Sequence, residues 1–180
     1  MVPVIETERL RLRGHEATDF EACVALWQEP VVTKYIGGKA YTREEVWARM
    51  LRYAGLWPMM GFGYWVVEEK GTGAFVGELG FASFRRAIEP SFDDALEAGW
   101  ILSPTMHGNG YASEAMGAVH AWGAAKFPGR RMVCIVHEEN AASLRVAERS
   151  GYLEYARAVY RGVVMVMMER ATSRAEVERR

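Results

Sequence analysis

Apolar and polar residues alternate strictly through Arg9-Leu10-Arg11-Leu12-Arg13, the period of a strand with one buried face. The arginines of this run read as its solvated side. The period then lengthens. Phe20, Cys23, Val24 and Trp27 fall at i, i+3, i+4 and i+7, which predicts a helix capped by Thr18 or Asp19 and finished before Pro30. Thr42-Arg43-Glu44-Glu45 is a capping box and opens a second helix, with Val46, Met50, Tyr53, Ala54 and Trp57 on one side. Residues 56–62 are very apolar but carry Pro58 and Gly61, so they read as a loop. Such a loop either fills the core or walls a substrate pocket.

Residues 64–69 and 75–84 read as two strands joined by the hairpin signal Lys70-Gly71-Thr72-Gly73. Residues 85–94 are polar and loop-like. A strand follows over 96–102. Tyr111, Ala115, Ala118, Val119 and Trp122 then recur at helical spacing, and Pro128-Gly129 ends that helix. Residues 132–136 are apolar at successive positions, as a strand buried on both faces should be. Residues 140–150 form a short helix with Leu144 and Ala147 inward and Gly151 as its C-cap. The last pair of strands, 153–159 and 163–168, turns at Arg161-Gly162. Seven strands and four helices in this order predict an α/β (α+β) fold with a mixed sheet. The crossover through the Tyr111 helix sets the strand ending at Leu102 parallel to the one opening at Met132.

The 180 residues fit one domain, with a core over about 5–170 and a charged tail at 171–180. Net charge is −1, which excludes bulk binding to nucleic acid through a basic surface. No apolar stretch approaches membrane-spanning length, and the N-terminus lacks the pattern of a signal peptide. Cys23 and Cys134 read as reduced core thiols, which suits the cytoplasm. The histidines do not form ligand spacing with cysteines or carboxylates, so no metal site is expected. Oligomeric state stays open between monomer and homodimer.

The chemistry concentrates where the 96–102 strand breaks at Pro104. The chain passes through His107, Gly108, Asn109 and Gly110, and a helix starts at Tyr111, Ala112 and Ser113. Glycine admits positive φ and close approach of another group. The first N–H groups of the helix have no partner inside it and sit at the positive end of its dipole. The result suits a phosphate or pyrophosphate. No Lys-Ser or Lys-Thr follows the glycines, which disfavours a nucleotide-hydrolysing site. A second stretch begins with Asn140 at a strand-to-helix junction, three residues before Ser143. Asn140 serves as an N-cap on the plainest reading.

Together, the Gly-x-Gly-Tyr-Ala-x-Glu-Ala helix start and the Asn-x-x-Ser helix ending in Gly151-Tyr152 resemble the GNAT acetyltransferase superfamily. The opening Glu6-Thr7-Glu8-Arg9-Leu10-Arg11-Leu12-Arg13 and the run Gly99-Trp100-Ile101-Leu102 are similar to its ribosomal-protein N-acetyltransferase (Rim-type) branch. The resemblance implies a mostly antiparallel sheet splayed at the cofactor site, and acetyl-CoA as the co-substrate. It implies that backbone groups from His107 through Ser113 hold the pyrophosphate. The pantetheine arm would lie along Trp100, Ile101 and Leu102, with Asn140 and Ser143 at the thioester end.

Two positions depart from the family pattern. Thr105 stands where Arg or Gln is common. Ala147 stands where many members place a tyrosine acid, which leaves Ser143 as the candidate acid. Glu97, on the strand beside the cofactor, is the candidate base, with His137 the runner-up. The reaction implied is direct attack of a primary amine, either a protein N-terminal α-amine or the amine of a small molecule. A CoA-binding regulator without transfer activity is the reading from another class.

Overall fold

A computed structural model describes residues 1–170, and the charged tail read at 171–180 lies outside the described residues. Eight strands form one sheet in the order β1-β2-β3-β4-β5-β6-β8-β7. They are β1 (Ile5–Glu6), β2 (Leu10–Arg13), β3 (Tyr64–Glu69), β4 (Phe75–Ala82), β5 (Leu96–Leu102), β6 (Met132–His137), β7 (Tyr152–Tyr160) and β8 (Val163–Arg170). Every neighbouring pair is antiparallel except β5 and β6, which are parallel as the crossover rule requires. The helices are α1 (Phe20–Gln28), α2 (Pro30–Thr33), α3 (Arg43–Met60), α4 (Tyr111–Lys126) and α5 (Ala141–Arg149). None of them is long and apolar enough to cross a membrane.

The sheet thus has one strand more, and the helical layer one helix more, than periodicity predicts. Both extra elements are too short for a period to show. β1 forms because the chain folds back at Thr7, whose N–H donates to the Leu10 carbonyl at 2.9 Å and sets Ile5 opposite Leu12. Pro30 ends α1 but also starts α2, since its fixed φ suits a first helical position. Asp19 does not cap α1 with its side chain. It accepts the Glu16 N–H at 2.8 Å and a fork of two 2.7 Å bonds from Arg13.

The larger correction concerns residues 56–62. α3 continues through Pro58 to Met60, and Gly61, at φ 75°, closes it with an N–H bond to Trp57. A proline in the last turn forfeits one hydrogen bond, which this segment offsets by burial. Trp57 meets Trp65 and Trp122 edge-on, with centroids 4.6 and 5.7 Å away, and donates its indole N–H to the Tyr64 carbonyl. Phe62 is fully buried. The segment fills the core and takes no part in the cleft described below.

One face of the sheet buries α4 through Ala115, Met116 and Val119, together with Ala147 of α5. The other buries α1 and α3 through Cys23, Val24, Trp27, Val46, Met50 and Tyr53. Neighbouring residues of β3 divide between the two, Trp65 to the α4 side and Tyr64 to the α1–α3 side, as strand alternation requires. The polar-looking segment 85–94 carries no regular structure. It still buries Ile88 and Phe92 against Val133 and Met167.

His120 of α4 is the titratable group most exposed to the consequences of this packing. It is buried, and its Nε2 lies 2.8 Å from the Tyr152 hydroxyl. Burial pushes its pKa down to about 4. The unfolded chain takes up this proton near pH 6.5, the folded chain only near 4. Stability is therefore full above pH 6.5 and falls as the pH drops through that window, by roughly 3 kcal/mol from this group. A His120→Gln variant can still bond the tyrosine but does not titrate. Its unfolding free energy, from urea titrations at pH 4 to 7, should decline less steeply than the wild type's. Parallel curves would assign the acid sensitivity to other groups.

Candidate active site

β5 and β6 stay in register for only two pairs, Leu96 with Met132 and Glu97 with Val133. Beyond them β5 remains on β4, out to Leu102 opposite Gly77, while β6 remains on β8, out to His137 opposite Met165. The two strands part, and a cleft of about 510 Å³ opens between them. β5 lines it with Glu97, Gly99, Trp100 and Ile101, β6 with Cys134 through His137, and the start of α5 with Asn140 and Ser143. At Gly99 a β-carbon would collide with the Tyr64 hydroxyl, so glycine lets that side chain reach β5.

At the end of β5 the chain makes a 3-10 turn, Pro104–Met106, and then passes Gly108 and Gly110 at φ 80° and 77° before α4 begins. The N–H groups of Gly108, Asn109, Gly110, Tyr111, Ala112 and Ser113 find no acceptor among the described residues, and the first helical bond of α4 is Glu114 to Gly110. This row of donors lies at the dipole-positive end of a 16-residue helix. It fits a diphosphate. His107 differs from the rest of the stretch. Its N–H is bonded to the Pro104 carbonyl and its Nε2 lies 3.0 Å from the Leu102 carbonyl, so it pins the turn to β5. A carbonyl only accepts, which puts the imidazole proton on Nε2. Leu102 is thereby engaged within the chain, while Trp100 and Ile101 face the cleft. Thr105 lies 2.9 Å, hydroxyl to hydroxyl, from Ser103.

The turn is held from outside by Arg9, which alternation had assigned to a solvated face. Its Nη1 donates to the Asn109 carbonyl at 2.9 Å, its Nε donates to Glu114 at 2.7 Å, and its guanidinium lies 4.7 Å over the Tyr111 ring. Glu114 also accepts the Thr7 hydroxyl and the Arg9 N–H. The sequence offered one clue, a carboxylate in the first turn of α4. Nothing in it joined positions 105 residues apart.

At the start of α5, the Asn140 side-chain oxygen accepts the Ser143 N–H at 3.1 Å, so Asn140 is an N-cap and also lines the cleft. The Ser143 hydroxyl lines the cleft too and makes no bond to the described residues. Ala147 is sealed in the main core, and Tyr152 is buried in the same core against His120. Neither presents a phenol to the cleft. His137 accepts the Glu139 N–H on Nδ1 at 3.1 Å. A neutral ring then carries its proton on Nε2 and offers the cleft a donor.

Glu97 is buried and lines the cleft. Arg86, from the irregular 85–94 segment, grips it with three bonds of 2.7 to 3.0 Å, two of them on Oε1. Burial raises the Glu97 pKa above the usual carboxylate value against the pull of that guanidinium. Sequence reasoning missed Arg86 because a loop arginine carries no period. Among the described residues no three potential metal ligands come together.

Comparison with known proteins agrees with this geometry. A family model for the acetyltransferase (GNAT) domain matches residues 9–153. YkkB of Bacillus subtilis, whose activity is uncharacterized, is 33% identical over 81% of this chain and 82% of its own. A GnaT-family acetyltransferase from Bordetella pertussis superposes with a TM-score of 0.83 at 30% identity, covering 94% of this chain and 99% of that one. The ribosomal L7/L12 α-N-protein acetyltransferase RimL, solved with coenzyme A, shares the fold at a TM-score of 0.75 and 20% identity, over 93% and 97% of the two chains. A parted pair of parallel strands, a row of free N–H groups at the end of one of them, and the family match agree: the chain belongs to the GNAT acetyltransferases and is an acyl-transferring enzyme.

Proposed function

We propose that the protein is an acetyl-CoA-dependent N-acetyltransferase whose acceptor is a primary amine. The observation that carries this reading is the run of N–H groups from Gly108 to Ser113 without an acceptor among the described residues, which follows β5 past the point where it parts from β6. Acetyl-CoA supplies the acetyl group and a thiolate leaving group. The six N–H groups bind its phosphates. The free edge of β5 at Trp100 and Ile101 takes the amide-bearing arm as it would a neighbouring strand. Asn140 and Ser143 face the thioester end. Ser143, whose hydroxyl has no internal partner, delivers a proton to the departing sulfur. Glu97 draws the proton from the amine through water. Its Oε2 accepts only one 3.0 Å bond, shared with Oε1, and so keeps capacity for a water. Holding amine and thioester in line contributes roughly 7–11 kcal/mol at best. The acceptor is an N-terminal α-amine, as in the ribosomal-protein enzymes of this fold, or a small-molecule amine.

Release of free thiol from acetyl-CoA, followed across a panel of amines and N-terminal peptides, tests the reading. Coenzyme A binding with no amine-dependent release would leave a CoA-binding protein without transfer activity. Gly110→Val should raise the acetyl-CoA KM about tenfold with kcat held. A valine at φ 77° is strained by about 1–3 kcal/mol, and its β-carbon comes 3.7 Å from the Arg9 Nη2 that braces the turn. An unchanged KM would remove the turn as the phosphate site. Ser143→Ala should lower kcat about 100-fold while donor affinity is kept. Full turnover in that variant would clear Ser143 of the role.

A further inference from the structure

Charge in the cleft is one-sided. Among the described residues Glu97 is the single acid lining it, and Arg86 neutralises it. Across from β5, α3 presents Arg49 and Arg52, three residues apart on one helix face and both lining the cleft. Neither has a carboxylate within ion-pair distance among the described residues. The Arg49 guanidinium lies 3.9 Å over the Trp27 ring and donates to the Tyr53 and Tyr41 hydroxyls at 3.0 and 2.9 Å. Two phenols satisfy part of its donor set; the buried Glu78 acts on its charge from beyond ion-pair distance, and that carboxylate is already engaged by the Trp27 indole N–H and by His15. Arg52 is exposed and stacks 5.4 Å from Phe84. Two cations at this spacing repel each other, and a half-buried guanidinium with no carboxylate bonded to it keeps donors and charge to offer a ligand. Lys34 and Arg161 at the rim add charge of the same sign.

The distance from these cations to the reacting centre is short. The Arg49 Cζ lies 5.8 Å from the Tyr53 ring centroid, Tyr53 stacks on Tyr64 at 4.2 Å and 3°, and the Tyr64 hydroxyl touches β5 at Gly99. An anion on the guanidinium is two ring steps from the strand that would present the thioester.

We infer that the acceptor is a small primary amine that also carries a carboxylate, as an amino acid does, and that Arg49 and Arg52 hold this carboxylate while the amine turns toward β5. This rests on the transferase reading above and names its substrate class. The guanidinium fork matches a planar carboxylate, and the aromatic wall of Trp27, Tyr41, Tyr53 and Tyr64 suits an apolar side chain. Polycationic acceptors such as polyamines and aminoglycosides meet like charge and are rejected.

Equilibrium binding separates this inference from catalysis. N-acetyl-alanine, N-acetyl-methionine and N-acetyl-phenylalanine, each as free acid and as primary amide, are titrated calorimetrically into the protein saturated with coenzyme A. At least one acid should bind about tenfold tighter than its amide, since a hydrogen bond to a charged group is worth that much or more. The ratio should fall to near one in Arg52→Met, an exposed position where the fold is kept. Acids that bind no tighter than their amides in all three pairs overturn the inference. So does a ratio unchanged in both Arg52→Met and Arg49→Met. Thiol release with spermidine and no preference for amino acids would also sink it, while leaving acetyl transfer standing.

Discussion

Two residue pairs hold β5 to β6, and the rest of the molecule is arranged so that there need be no more. A strand edge left unpaired inside a protein exposes N–H and C=O groups that must find partners. The sheet tolerates the parting because β4 secures β5 along its other edge and β8 does the same for β6. The helical layers are placed accordingly. α1 and α3 cover one face up to the cleft and α4 the other, so the parting is roofed and floored without being filled. What remains open is an edge with the hydrogen-bonding needs of a strand and the width of a ligand.

The donor row at the end of β5 belongs to the same geometry. β5 must stop at Leu102 for the chain to turn beneath the parting, and His107 fixes the turn by bonding the last carbonyl of the strand. Positive φ at Gly108 and Gly110 carries the chain round the turn while its N–H groups stay without an acceptor among the described residues. The wall of the cleft facing β5 is built differently. It depends on two ring pairs, Trp27 with Tyr41 and Tyr53 stacked on Tyr64, with the Arg49 guanidinium laid against Trp27, Tyr41 and Tyr53. One half of the cleft is main chain and the other half side chain. A scaffold of this kind can keep its donor while its acceptor changes.

That division explains what the sequence disclosed. The main-chain half was legible because it is local: a strand, a proline, two glycines and a helix period lie within about 25 consecutive residues. The Asn140 cap and the Thr42–Glu45 box were legible for the same reason. Strand identity came through wherever a period ran for four residues or more, and failed for β1, which has two. The residues that went unread are long-range partners. Arg9 reaches the turn, Arg86 reaches Glu97, and Arg49 lies under Trp27, each from an element whose own pattern said only that the side was polar. Residues 56–62 misled because Pro58 is a strong breaker in isolation. Here the burial of Trp57 and Leu56 outweighed it.

Thr7, Arg9 and Glu114 join the first strands to the mouth of the site. Thr7 and Arg9 are therefore struts of the cradle of free N–H groups at Gly108–Ser113, although neither side chain lines the cleft. Peeling away of β1 and slackening of the cradle are one event, since the same carboxylate anchors both. Occupancy of the site and order at the amino terminus should rise and fall together.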